Sequence, residues 1–162
     1  MALPADHIGP ALAVAEAPWR AELVGNVVAE VQATFGTVSD GLVPQRARHY
    51  RDDVLTMYYR CLSPRATRVR YRNVWSASQC AGHSLVIADS LLARTHRGHG
   101  FLSERLERCQ ALEPRISHIE LENVFNVGLV DYLKGKGWTK RRIGPVDGPN
   151  EPVTGACWFI AL

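Results

Sequence analysis

Arg97-Gly98-His99-Gly100-Phe101-Leu102 decides how the rest of this chain is read. Before it runs Ser84-Leu85-Val86-Ile87-Ala88 and then Asp89-Ser90-Leu91-Leu92-Ala93, which predicts a largely buried strand. After it, Leu102, Leu106 and Cys109 fall on one side of an amphipathic helix that reaches about Leu112, with Pro114 as its stop. Two glycines at a strand-to-helix turn let the backbone come close to a bound group. The first N–H groups of the helix and its positive dipole end favour an anion, most often a phosphate. The turn is therefore a candidate pyrophosphate cradle. It is not a Walker loop, because no Gly-Lys-Ser/Thr follows, and it lacks the full dinucleotide-binding spacing.

Working outward, Ile116-Ser117-His118-Ile119-Glu120-Leu121-Glu122 predicts the next strand. Asn126 then stands before a helix that starts at Val127 and ends ahead of Gly137-Trp138. Upstream, Trp19, Leu23, Val27, Val31 and Phe35 recur every four residues, the stripe of a helix from Pro18 to Gly36. Tyr50, Val54, Met57 or Tyr58, and Cys61 predict a second helix from Pro44 to about Leu62, ended by Ser63-Pro64. Arg68 to Trp75 alternates basic or polar with apolar residues, the pattern of a half-buried strand, and Ser76 to Gly82 links it to the central strand. Thr139-Lys140-Arg141-Arg142 leads into a strand or its end. Gly144 to Gly155 is a long loop and Ala156 to Leu162 a final buried strand, the two strands pairing. The expectation is a mixed α/β chain, helices around a central mixed sheet, with residues 1–162 as one domain. Residues 1–15 offer only a short apolar patch, Ala11 to Ala15, so the N-terminal part reads as abbreviated or rebuilt.

The central turn resembles motif A of the GNAT superfamily, the GCN5-related N-acetyltransferases, in which Arg/Gln-x-x-Gly-x-Gly/Ala cradles coenzyme A. Arg97 and Gly100 match; Leu102 stands where the family has a small residue. A second segment is similar to the family's Asn-x-x-Ala-x-x-x-Tyr-x-x-x-Gly-Phe, with Asn126, Gly137 and Trp138 in register. The family's frequent general-acid tyrosine falls on Leu133. Tyr132 is one residue earlier, about 100° away on a helix. The resemblance covers residues 83–142. It implies an acetyl-CoA or other acyl-CoA cofactor, held by Leu92, Arg97, Gly98, His99, Gly100, Phe101, Leu102 and Asn126, and transfer of its acyl group to a primary amine. It also implies a basic or acidic group early in the central strand that takes the amine proton.

Acyl transfer to an amine needs the thioester held, the amine deprotonated and the leaving thiolate protonated. His83, which opens the central strand, and Asp89, which interrupts its apolar run, are the candidate bases. Tyr132 is the nearest candidate acid. Asn126 suits both cofactor binding and helix capping. Glu120 and Glu122 share one face of their strand, as a carboxylate pair or an arginine-paired face. His96 and His99 lie in the cradle turn with no acidic or cysteine ligand near in sequence, so no metal site is expected.

Composition narrows the class. Hydrophobic residues make up 46% and charged residues 22%, which indicates a globular chain rather than a disordered one. Cys61, Cys80, Cys109 and Cys157 form no Cys-x-x-Cys pair, which leaves zinc-ribbon and thioredoxin readings without support. Met1 to His7 has no basic segment, and no apolar run approaches the ~20 residues of a membrane span, so a cytoplasmic protein with no membrane partner is expected. Net charge is +3, too small by itself to imply nucleic acid, but eight arginines lie between Arg46 and Arg72, opposed only by Asp52 and Asp53. That concentration gives an alternative: a GNAT-like binding module, or an enzyme that modifies nucleic acid, presenting the arginine-rich segment to its partner. The acceptor and the oligomeric state are open at this level.

Overall fold

The computed structural model describes residues 18–72, 79–112, 116–124, 126–141 and 156–161. The Ala11–Ala15 patch, the long loop over 144–155, and residues 73–78 of the expected strand and link lie outside them.

Helix α1 (Pro18–Phe35) carries the expected stripe: Leu23, Val27, Val31 and Phe35 are buried, and Val24 and Val28 widen the face. Between Pro44 and Leu62 the expected helix is replaced by a hairpin, β1 (Gln45–Arg51) and β2 (Leu55–Leu62). The reason lies in the turn. Asp52 Oδ1 accepts from the N–H groups of Val54 (2.8 Å) and Leu55 (2.7 Å), an Asx-type arrangement that reverses the chain. Beyond it Leu55, Met57, Tyr59 and Cys61 point alternately inward, a period of two rather than 3.6. The basic stretch that follows is α2 (Pro64–Tyr71), not a strand. Ser63-Pro64 starts this helix instead of ending one. Ser63 Oγ accepts from Ala66 N and Pro64 fills the first turn, where a missing N–H costs nothing.

The rest follows the expected order: β3 (His83–Leu92), a short 3-10 turn (Arg94–His96), α3 (Phe101–Gln110), β4 (Ile116–Val124), α4 (Val127–Gly135), β5 (Thr139–Arg141) and β6 (Ala156–Ala161). The strands form one mixed sheet in the order β1-β2-β3-β4-β6-β5. Its centre is a parallel pair, β3 with β4, flanked by the antiparallel β1–β2 hairpin and by the antiparallel β5–β6 pair. α1 and α3 pack on one face, over Leu85, Ile87, Ile119 and Leu121. Glu120 and Glu122 alternate with those residues and so face the other way, where Arg70 and Tyr71 of α2 meet them.

Two irregularities position a site. β3 and β4 pair from His83–Ile116 to Ile87–Leu121, yet β3 runs on to Leu92 and β4 to Val124, so the two strands part. Just there β3 carries a bulge: Tyr58 lies opposite Asp89 and Tyr59 opposite Ile87, which leaves Ala88 as the extra residue. Asn123 (φ +54°) sits at the divergence, and its Nδ2 donates to Ala88 O at 3.0 Å. No described helix is long and apolar enough to cross a membrane.

Candidate active site

Where β3 and β4 part, a cleft of about 690 Å³ opens between the strand ends, α3 and α4. Its walls are mostly apolar, from Ile87, Leu92, Leu121 and Val124. Its polar groups are Asp89, Ser90, Glu122 and Asn123 from the strands, Arg97 from the cradle turn, Ser103 and Arg105 from α3, and Asn126 and Tyr132 from α4 and its cap. An apolar hollow with a few convergent polar groups is the usual form of a small-molecule site.

The cradle turn forms the rim. Gly98 (φ +79°) and Gly100 (φ +75°) are left-handed, a backbone that a side chain would strain. A Cβ on Gly98 would meet nothing within 4 Å, and one on Gly100 only Arg20 Nη1 at 3.5 Å. Conformation rather than crowding demands glycine there, and open space lies above the turn. α3 has no side chain capping its first N–H groups, whereas Ser63 caps α2 and Asn126 caps α4. Those uncapped donors suit a pyrophosphate. Arg97 stands on the rim, its Nε donating to Leu92 O at 2.9 Å. α1 braces the turn from behind, because Arg20 bonds Glu104 Oε2 (2.6 Å) and His99 O (2.7 Å).

Of the residues singled out from sequence, Leu92, Arg97, Gly98, Gly100, Phe101, Leu102, Asn126, Asp89 and Tyr132 all line the cleft. His99 does not. Its ring packs edge-on to Trp19, 6.0 Å between centroids, facing α1. His83 is also elsewhere. It opens β3 at the paired end of the sheet, against Phe35. Six residues of strand at ~3.3 Å each put it about 20 Å before Asp89. Burial lowers its pKa, only partly opposed by the Asp40 charge.

Helix α4 turns Leu133 and Tyr132 to different surroundings. Leu133 is wholly buried, while Tyr132 turns its hydroxyl toward α3, 2.6 Å from Ser103 Oγ. Asn126 both lines the cleft and caps α4, its Oδ1 accepting from Leu129 N at 3.0 Å.

Ser90, Ser103, Arg105, Glu122 and Asn123 join the cleft without having been singled out from sequence for it. Only Glu122 had a signal, its two-residue spacing from Glu120. Both carboxylates are held by arginines: Arg70 bridges Glu120 (2.8 Å) and Glu122 (2.6 Å), and Arg60 also bonds Glu122. This divides the arginine-rich segment. Arg46 and Arg48 lie opposite Cys61 and Tyr59 on the α1 face of the sheet, and Arg60 and Arg70 are spent on glutamates. The eight arginines do not form one continuous face.

No protein-family model and no curated protein matches the chain. Among solved structures it is similar to an acetyltransferase from Thermus thermophilus, at 14% identity over 88% of each chain with a TM-score of 0.42. It is similar to Arabidopsis thaliana NAA60 in complex with acetyl-CoA, at 12% identity over 90% of this chain and 94% of that one, TM-score 0.43. An uncharacterized protein from Bacillus halodurans is similar at 16% identity over 68% of this chain, TM-score 0.39; the match spans 61% of that protein, less than two thirds of its length.

Proposed function

We propose that this chain is a GNAT-like, acyl-CoA-dependent N-acyltransferase, with a primary amine as acceptor and acetyl as the simplest acyl group. The observation that carries the reading is the cleft at the parting of the parallel strands, with the uncapped start of α3 on its rim and the Tyr132 hydroxyl inside it. When bound, acyl-CoA supplies an activated thioester. The N–H groups from Gly98 to Leu102 hold the pyrophosphate, and the α3 dipole adds to their pull. Leu92, Leu121 and Val124 give the acyl arm an apolar channel. Asp89, exposed at the cleft beside the bulge, accepts the amine proton. Tyr132 returns a proton to the leaving sulfur, its phenol held in place by Ser103. His83 has no part in this scheme.

Calorimetry with coenzyme A and acetyl-CoA tests the binding half. Thiol release across a panel of primary amines tests the transfer half. Binding with no transfer to any amine favours the binding-module reading, and no binding to either ligand overturns the acyltransferase reading.

A further inference from the structure

Arg105 is a cation of the cleft to which the acyl-transfer scheme gives no role. It lies on α3, is 2% exposed, and lines the same hollow. Its Nη1 donates to Ser90 Oγ at 3.1 Å and to Met57 Sδ at 3.4 Å, both neutral acceptors. Its Cζ lies 5.1 Å from the Phe101 ring centroid. Its Nε is buried with no hydrogen-bond partner. Among the described residues no carboxylate pairs with it, whereas Arg20, Arg60 and Arg70 each hold a glutamate. Burial lowers its pKa to about 10, so it remains a cation at neutral pH. A buried charge is expensive unless an opposite charge meets it.

We propose that Arg105 is a specificity residue that pairs with a carboxylate on the ligand of this cleft. The guanidinium fork suits a planar carboxylate. One negative charge balances one buried cation, whereas a phosphate dianion would leave a net charge in the same apolar hollow. This inference rests on the acyltransferase reading for what the rest of the ligand is. The carboxylate then has two sources: the far end of a dicarboxylic acyl chain, or an acceptor that carries a carboxylate beside its amine. In either case the transfer itself is unchanged. The amine nitrogen bonds to the thioester carbon, the C–S bond breaks, the amine gives up a proton and the thiolate takes one. The carboxylate on Arg105 stays intact.

The test compares ligands that differ by the carboxylate alone. Calorimetry is run with acetyl-CoA and succinyl-CoA on wild type, Arg105→Met and Ser90→Ala. If the acyl chain is the source, succinyl-CoA binds wild type roughly tenfold or more tightly than acetyl-CoA. Arg105→Met makes the two equal, and Ser90→Ala keeps the preference. If the acceptor is the source, the thioesters bind alike. In the presence of coenzyme A, β-alanine and glutamate then raise the melting temperature of wild type while their amides do not, and Arg105→Met abolishes that difference. Wild type that treats both thioesters alike and each acid like its amide overturns the proposal, whether or not Arg105→Met folds. Should coenzyme A itself fail to bind, the acyltransferase reading falls separately. Succinate against succinamide, by melting temperature on wild type, then decides the Arg105 proposal alone: stabilisation by succinate only supports it, and an equal response overturns it.

Discussion

Tyr132 and Leu133 are chain neighbours with opposite surroundings, one hydroxyl-bonded at the cleft and the other wholly buried. A single helical step of about 100° separates the packed side chain from the one we propose as the acid. Tyr132→Phe keeps the ring and removes the hydroxyl. We expect turnover to fall about 10²–10⁴-fold with coenzyme A affinity unchanged, read from thiol release and calorimetry on the same preparation. An unchanged rate would return Tyr132 to the packing of α3 against α4. Gly100 makes a companion test. Gly100→Asp brings a carboxylate to the proposed pyrophosphate site, and coenzyme A should bind at least about tenfold more weakly. Gly100→Ala, which brings only the strain of a side chain at φ +75°, should lose less affinity than Gly100→Asp. Equal losses in the two variants would assign the effect to backbone strain rather than to charge.

The same Ser63-Pro64 dipeptide reads as a helix stop or a helix start, and the element that follows decides which. In the fold it starts α2, where Thr67 and Tyr71, four residues apart, turn inward together. Thr67 Oγ1 reaches Ser84 Oγ of β3 at 2.9 Å, and Tyr71 OH reaches Glu120 of β4 at 2.6 Å. The cap therefore anchors a helix that spans two strands. Ser63→Ala should lower the unfolding free energy by about 0.5–2 kcal/mol, as lost caps do, measured by denaturant titration. A loss near zero would mean that Pro64 and the inward pair hold α2 without the cap.

Across the molecule, the sheet's second face is a polar assembly: Arg60, Arg70, Glu120, Glu122 and Tyr71, with His118 stacked on Tyr71 at 4.9 Å between centroids. Burial lowers the His118 pKa to about 4, against an opposing pull from Glu120. The sign follows directly. Between pH 6.5 and 4 the unfolded chain takes up a proton at this histidine and the folded chain does not. Stability is therefore full above pH 6.5 and falls as pH drops toward 4. His83, also lowered by burial, acts in the same direction. Denaturant midpoints measured from pH 7 to 4.5 should decline, and the decline should be shallower in His118→Gln, each series referred to its own value at pH 7. An identical slope in that variant would remove His118 from the acid response.

What the sequence determined by itself is whatever rests on local periodicity and local chemistry. The four-residue stripe of α1, the apolar run of β3, the glycine turn into α3, and the cap and helix of α4 are each legible within some fifteen residues. Their side chains report their own surface, wherever the rest of the chain goes. The stretch from Pro44 to Trp75 was not legible in that way. Tyr50, Val54, Met57 and Cys61 satisfy helical spacing while Leu55, Met57, Tyr59 and Cys61 satisfy strand alternation, and only pairing with β3 makes the hairpin the better solution. Half of the site has the same origin. The cleft exists because β3 and β4 stop pairing after Ile87 and Leu121, and no window of sequence contains both strands. Arg105 looks like one more surface arginine on an amphipathic helix until α3 is laid over Ser90 and Met57. His83 looks like part of the site until β3 is extended and its first residue lies a strand's length from its last. Tertiary structure decided these points because they depend on which distant segments share a face, and that is set by burial across the whole sheet.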